Sequence, residues 1–221
     1  MLLEVQNLSK RYGQVQAVQD ISFTINTGEF IGFLGGNGAG KSTTIKMLTG
    51  QLFPSAGNIL VQGKNILEDA NFARSQIGYV PEFPEMYEYL TGKEMLEFVI
   101  SVRGKGDVQR GMEIAGLDKN IDRVISEYSQ GMRRKIAIAA ALVAEPPILI
   151  LDEALNGLDP SSVKRMTGLL CELRQEGIAV ILSTHILDYL EKIATRLLYL
   201  VDGKLEADCS ISDLQRIREM L

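Results

Sequence analysis

The sequence predicts an α/β chain: a buried sheet whose strands alternate with helices, an antiparallel β flank and an inserted helical section. Three observations carry this expectation. Phe30 to Leu34, Ile148 to Leu151 and Ile178 to Leu182 are short continuous apolar runs of the kind that form buried strands. Each is followed, after a loop, by helical spacing. Between Pro81 and Gly131 the strand pattern stops and only helical spacing remains.

Leu3 to Asn26 alternates apolar and polar residues through Leu8, Tyr12-Gly13 and Ile21 to Ile25, which predicts short antiparallel strands with a polar outer face. Asn26-Thr27-Gly28 is a turn, Phe30 to Leu34 a strand, and Thr43 to Leu48 a helix stopped at Gly50. Gly57 to Val61 and Ile77 to Val80 are further strands across a polar, turn-rich segment. Met95, Phe98 and Val99 place a helix from Thr91, and Val108 to Ala115 a second one. A third, Gly131 to Ala144, is stopped by Glu145-Pro146-Pro147, because proline disfavours the helical conformation of the residue before it. Ile148 to Leu151 is the next strand. Asp159 as N-cap and Pro160 at the first position open a helix with a Val163, Met166, Leu170, Leu173 stripe that ends at Gly177. Strand Ile178 to Leu182, helix His185 to Ala194 and a hairpin turning at Asp202-Gly203 follow. Ser212 and Gln215 have capping-box spacing for a short terminal helix.

The chain has 221 residues, 46% hydrophobic and 23% charged, which suits one globular domain with a full core. Its 23 basic against 28 acidic residues give a net charge of −5, which argues against holding nucleic acid by phosphate neutralisation. Cys171 and Cys209 form no metal or disulfide pattern and are expected to be reduced thiols. The longest purely apolar run, Ile136 to Ala144, is nine residues, about half a membrane span. Met1 leads into no basic and apolar leader, so no signal peptide is expected and the default location is the cytoplasm.

Gly35-Gly36-Asn37-Gly38-Ala39-Gly40-Lys41-Ser42 fits G-x-x-x-x-G-K-[ST] between an apolar strand and a helix. Glycines let backbone N–H groups converge on phosphate oxygens, the helix N-terminus adds its dipole, Lys41 supplies a mobile cation and Ser42 a hydroxyl for Mg²⁺. Asp152 and Glu153 end a buried strand at the edge where open α/β sheets bind ligands. Their side chains point opposite ways, which suits Asp152 to the metal and Glu153 to the attacking water. His185, the one histidine, follows Ser183-Thr184 at the end of another strand and is expected near the γ-phosphate or its water. Ser129-Gln130-Gly131 precedes a helix whose first turn carries Arg133, Arg134 and Lys135; cations there oppose the helix dipole, so an external anion is one solution and pairing with Glu127 or other acids another. A second phosphate-binding surface so far from Lys41 in sequence invites dimerisation.

Together these residues resemble the ATP-binding subunit of ABC transporters, over essentially the whole chain and in the family's order, and the exporter subclass in particular. The resemblance implies a P-loop NTPase (RecA-like) core with an antiparallel β subdomain, about 1–81 and 145–221, and an inserted α-helical subdomain, about 82–144. It makes Gly35 to Ser42 the Walker A motif, with Gly36, Asn37, Gly38, Ala39, Gly40 and Thr43 on the nucleotide, and Ile148 to Asp152 with Glu153 the Walker B motif and catalytic glutamate. Tyr128-Ser129-Gln130-Gly131-Met132 stands where the family has LSGGQ, Asn156-Gly157-Leu158-Asp159 resembles the D-loop, and His185 the switch histidine. Tyr12 is implied to stack on adenine with Val18 packing nearby. Gly36 replaces the usual proline, Ala154-Leu155 the frequent Pro-Thr, and Glu82 the Q-loop glutamine that approaches Mg²⁺.

By the same resemblance the chain hydrolyses ATP with Mg²⁺ and works as a homodimer, or with a paralogue, sandwiching two ATP. Ser129 and Gly131 of one chain would contact the γ-phosphate held by Lys41 of the other. It would power a separately encoded membrane permease, docked along Glu82 to Leu90 through Phe83, Met86, Tyr87 and Tyr89, from the inner face of the cell membrane. The alternative is a soluble ABC-type ATPase of translation or DNA repair; such proteins generally carry two nucleotide-binding domains or a long coiled-coil insertion, and neither is seen. A GTPase or small-molecule kinase lacks support without Asn-Lys-x-Asp, and the presence of Glu153 and His185 argues against a regulatory subunit that does not turn over.

Overall fold

A computed structural model of the chain describes all residues except 156–157, 214–217 and 219–221. Strands β1 (Leu3–Tyr12) and β2 (Val15–Ile25) form an antiparallel hairpin, with Leu3 opposite Ile25 and Val5 opposite Phe23. After the Asn26 to Gly28 turn come β3 (Phe30–Leu34) and helix α1 (Lys41–Leu48). Strands β4 (Ala56–Val61) and β5 (Lys64–Asn65) and helix α2 (Ala70–Ser75) lead to β6 (Ile77–Val80). The helical insertion holds α3 (Gly92–Arg103), α4 (Val108–Ala115) and α5 (Gln130–Leu142). Strand β7 (Ile148–Asp152), helix α6 (Pro160–Gln175), strand β8 (Ala179–Thr184), helix α7 (Leu187–Glu191) and the hairpin β9 (Arg196–Val201) and β10 (Lys204–Ser210) complete it.

The strands make two sheets, β2-β1-β4-β5, all antiparallel, and β10-β9-β3-β8-β7-β6, parallel except for β10. Strand alternation divides the core. Ile31, Phe33, Ile148, Ile150 and Ile181 face the antiparallel sheet and α1. Phe30, Leu34, Leu149, Leu151, Val180 and Leu182 face the other way, against Met166, Leu170 and Leu173 of α6 and Ile138 and Leu142 of α5. Each such buried side chain contributes about 1.5–3 kcal/mol. Leu96, Ile125, Tyr128, Ile136 and Val143 form a separate core inside the insertion.

Local chemistry sets the boundaries. Thr91 and Glu94 form a capping box at α3, and Asp159 accepts from the Ser161 and Ser162 N–H groups with Pro160 in the first turn of α6. Asp202 and Gly203, at φ 47° and 79°, turn the last hairpin. The structure adds β5 and α2 to the segment expected to be only turn-rich; Asp69 caps α2 by accepting from Phe72 N–H. Helix α7 is shorter than expected, running from Leu187 to Glu191 rather than from His185 to Ala194. Its N-cap, Ile186, supplies no side-chain acceptor, so no cap extends it toward His185. Glu145, before Pro146, adopts φ 53° rather than an extended conformation, and α5 still ends ahead of it. Ile211–Asp213 is a single 3₁₀ turn; Gln215, and with it the capping box, lies outside the described residues. Among the described residues no helix is long and apolar enough to cross a membrane.

Candidate nucleotide site

Three parallel strands bring the motif residues to one sheet edge. Leu34 is level with Thr184 and Asp152 with Ser183, so the glycine loop, His185 and Glu153 all leave the sheet on the same side. There they line a cleft of about 350 Å³ together with Ala17, Ser42, Thr43 and Glu82. The N-cap of α1 is Gly40 at φ 97°, which makes no side-chain cap and leaves first-turn N–H groups available to an anion. A Cβ on Gly40 would meet the Ala17 carbonyl oxygen at 2.6 Å, and one on Gly35 the Leu200 carbonyl oxygen at 2.6 Å, so both positions require glycine. Nothing lies within 4 Å of a Cβ on Gly36, so that position faces open space.

Lys41 is buried, and its Nζ donates to the Gly35 carbonyl at 2.7 Å and the Gly36 carbonyl at 3.3 Å. It also pairs with Glu153 Oε1 at 3.4 Å, while Glu153 Oε2 lies 3.3 Å from His185 Nδ1. One carboxylate therefore bridges the loop's cation and the histidine of the neighbouring strand. Asp152, also buried, ends β7 beside Glu153, and its Oδ1 accepts from Ser183 Oγ at 2.5 Å. Burial and, after it, the Asp152 charge push the nearby Tyr79 hydroxyl up to about 12. Ser42 is exposed at the start of α1. Among the described residues no three His, Cys, Asp or Glu side chains are grouped to hold an ion unaided. The donors present, the Ser42 hydroxyl and carboxylate oxygens, are hard oxygens of the kind Mg²⁺ takes when phosphate oxygens complete its shell.

The remaining expected residues lie apart. Ser129 caps α5 by accepting from Met132 N–H at 3.3 Å, and Gly131 lines a different cleft, between α4, α5 and α6. Tyr12 ends β1 with about half its surface exposed and its ring 5.3 Å from Lys10 Nζ. Val18, implied to pack near the adenine, is fully buried in the core between the sheets, and its neighbour Ala17 lines the cleft. The cations of α5 have internal partners. Arg133 pairs with Glu88 at 2.7 Å, Lys135 donates to the Gly116 carbonyl at 3.3 Å, and Glu127 pairs with Arg123. Arg134 is buried and donates to the carbonyls of Glu82 at 2.8 Å and Pro81 at 3.2 Å, tying α5 to the loop that carries Glu82 into the cleft. Burial holds its guanidinium below the ordinary value, with the Glu82 charge opposing. Sequence reading missed Ala17 and the placement of Arg134; a cation in an apolar helix that needs buried acceptors was the available signal for the second. Asn156 and Gly157 lie outside the described residues.

The model of the ABC transporter family matches residues 18–156. The bacitracin transport ATP-binding protein BcrA of Enterococcus faecalis is 37% identical over 219 residues, which cover 97% of this chain and 71% of that protein. A solved structure of an ATP-binding subunit of an ABC transporter superposes with a TM-score of 0.90 at 32% identity, covering 100% of this chain and 94% of the other. The cbiO1 protein from Clostridium perfringens, described as part of the ABC transporter complex cbiONQ, superposes with a TM-score of 0.87 at 29% identity, covering 99% and 92%.

Proposed function

The chain belongs to the ABC transporter ATP-binding family, and from that premise we propose how its residues carry out an ATP-hydrolysing, transport-powering function. The observation that supports the assignment is the convergence of the glycine loop, Lys41, Glu153 and His185 on one cleft at the end of three parallel strands. The triphosphate takes the seat now closed by Lys41: the loop N–H groups and the α1 terminus cradle its oxygens and Lys41 Nζ turns from the Gly35 carbonyl to the β and γ phosphates. Tyr12 stacks on the adenine from the exposed end of β1. Ser42, Asp152 and Glu82 would hold Mg²⁺, which would supply positive charge to neutralise the phosphates. Glu153 orients the attacking water and accepts its proton, and His185, 3.3 Å from that carboxylate, fixes its direction.

Ser129 and Gly131 sit away from this cleft on the cap of α5, which supports a head-to-tail dimer in which each chain completes its partner's site. Arg134 links α5 to Pro81 and Glu82, a route by which a change at the γ-phosphate reaches α5. Phe83, Tyr87 and Tyr89 stand exposed beside that loop, Tyr87 packed edge-to-face with Phe98, and form the surface for a separately encoded permease at the inner face of the membrane. Glu82 and the Tyr128 to Met132 signature support the exporter subclass. The test is to tag the chain in its host, solubilise membranes in mild detergent and identify what co-purifies. A polytopic membrane protein in about equal amount is expected; recovery from the soluble fraction alone would overturn the permease assignment.

A further inference from the structure

Strand β8 is apolar through Val180, Ile181 and Leu182 and then carries a hydroxyl at Ser183, which is fully buried. That hydroxyl bonds both residues at the end of the neighbouring strand. Ser183 Oγ donates to Asp152 Oδ1 at 2.5 Å and accepts from the Glu153 N–H at 3.0 Å; the Ser183 carbonyl accepts from the same N–H at 3.2 Å. A serine has one proton, so giving it to Asp152 turns a lone pair toward Glu153, and the direction of both bonds is set. Glu153 sits at φ 50°, a left-handed conformation that non-glycine residues seldom adopt and that persists only where surroundings hold it. The two bonds from its N–H are part of that hold. The turn sends its carboxylate to Lys41 and His185 while Asp152 stays on the opposite face.

We propose that Ser183 is a positioning residue for hydrolysis: through one hydroxyl it leaves Asp152 a single uncommitted oxygen for the metal and keeps Glu153 in the left-handed turn that aims it at the attacking water. This rests on the roles assigned above to Asp152 and Glu153. Strand pairing does not need the hydroxyl, since β8 is bonded on both edges by β3 and β7. Thr184 is no substitute, because its Oγ1 accepts from Ile186 N–H.

Ser183→Ala removes the link without adding volume. The expected result is a kcat lower by about 10- to 100-fold, the usual cost of losing an outer partner of a metal-site ligand, with KM for ATP changed less than about 2-fold. Ser183→Thr, which keeps the hydroxyl, restores most of the rate. In the nucleotide-free protein the Glu153 amide shifts and exchanges faster in Ser183→Ala and keeps its resonance in Ser183→Thr. Ser183→Cys, close to isosteric with a poor donor, follows alanine and serves as the readout if the alanine variant melts early. An unchanged kcat, or a loss shared equally by the alanine and threonine variants with the Glu153 amide undisturbed, overturns the proposal. Glu153→Gln run alongside separates the two readings: if that variant turns over normally the underlying assignment fails, whereas a dead Glu153→Gln beside a normal Ser183→Ala removes Ser183 alone.

Discussion

Lys41→Met and Glu153→Gln, made singly and together, measure the ion pair that closes the phosphate loop before nucleotide arrives. Lys41 Nζ lies 3.4 Å from Glu153 Oε1, with the side chains 6% and 10% exposed. At an effective dielectric of 20 the Coulomb attraction at that distance is about 5 kcal/mol. Desolvation of two charges returns most of this, and removing one member of a fully buried pair costs about 3–5 kcal/mol. Here the cleft admits water and His185 stands 3.3 Å from the same carboxylate, so Lys41→Met is expected to cost about 1–3 kcal/mol. That corresponds to a melting temperature lower by roughly 2–12 °C for a chain of this size. Glu153→Gln in the Lys41→Met background removes the stranded charge and restores part of the loss, giving a coupling energy of about 1–2 kcal/mol in urea unfolding of the nucleotide-free protein. Coupling below about 0.5 kcal/mol, the range of ordinary additivity, refutes the pair. The same geometry makes phosphate and Glu153 rivals for one ammonium. Glu153→Gln therefore binds ATP more tightly than the unaltered chain, and an equal Kd refutes the competition.

Three other outcomes follow from the site. Glu153→Gln binds ATP without turning it over, so light scattering shows an ATP-dependent dimer; steady-state hydrolysis at the normal rate removes Glu153 as the base. Tyr12→Ala, at an exposed strand end, leaves the melting temperature within about 2 °C but weakens ATP binding, and an unaltered Kd takes Tyr12 out of the adenine site. Tyr79, with its hydroxyl pushed up to about 12 by burial and Asp152, favours the folded state below pH 10 and loses that contribution as pH rises from about 10 to 12, where the unfolded chain ionises first. Tyr79→Phe is expected to flatten alkaline unfolding in that window, and an unchanged pH profile excludes the effect.

Much of this site is legible in sequence because its parts are contiguous. The glycine loop, Asp152-Glu153 and His185 each end a short apolar run, and parallel strands of matched length deliver such ends to one edge; strand patterning alone brings together residues more than 100 positions apart. Legibility fails where a residue's role depends on which face of an edge element meets the cleft. Ala17 and Val18 differ by one position in β2, and the register shifts between β1 and β2, near Leu8 and Lys10, decide which of them turns inward. The short elements β5 and α2 fail for another reason. Two to six residues carry too little periodicity to register, and α2 is held by the Asp69 cap and the burial of Ala73, not by an apolar stripe.

The cations of α5 show the limit of charge reasoning from sequence. Arg133, Arg134 and Lys135 oppose a helix dipole worth a few tenths to about 1 kcal/mol each, and an external anion is one way to relieve it. The fold relieves it differently, with Glu88, the Pro81 and Glu82 carbonyls, and Gly116, all distant in sequence. The part-buried bonds of Arg134, charge-assisted and of about 1.5–3 kcal/mol each, outweigh the dipole term, while the exposed Arg133–Glu88 pair adds at most about 1 kcal/mol. The conflict visible in the helix is thus settled by tertiary contacts, and the settlement of Arg134 has a consequence that local reading does not reach. Arg134 Nη1 donates to the carbonyls on both sides of Glu82, so one buried side chain joins α5 to the loop that carries Glu82 into the cleft.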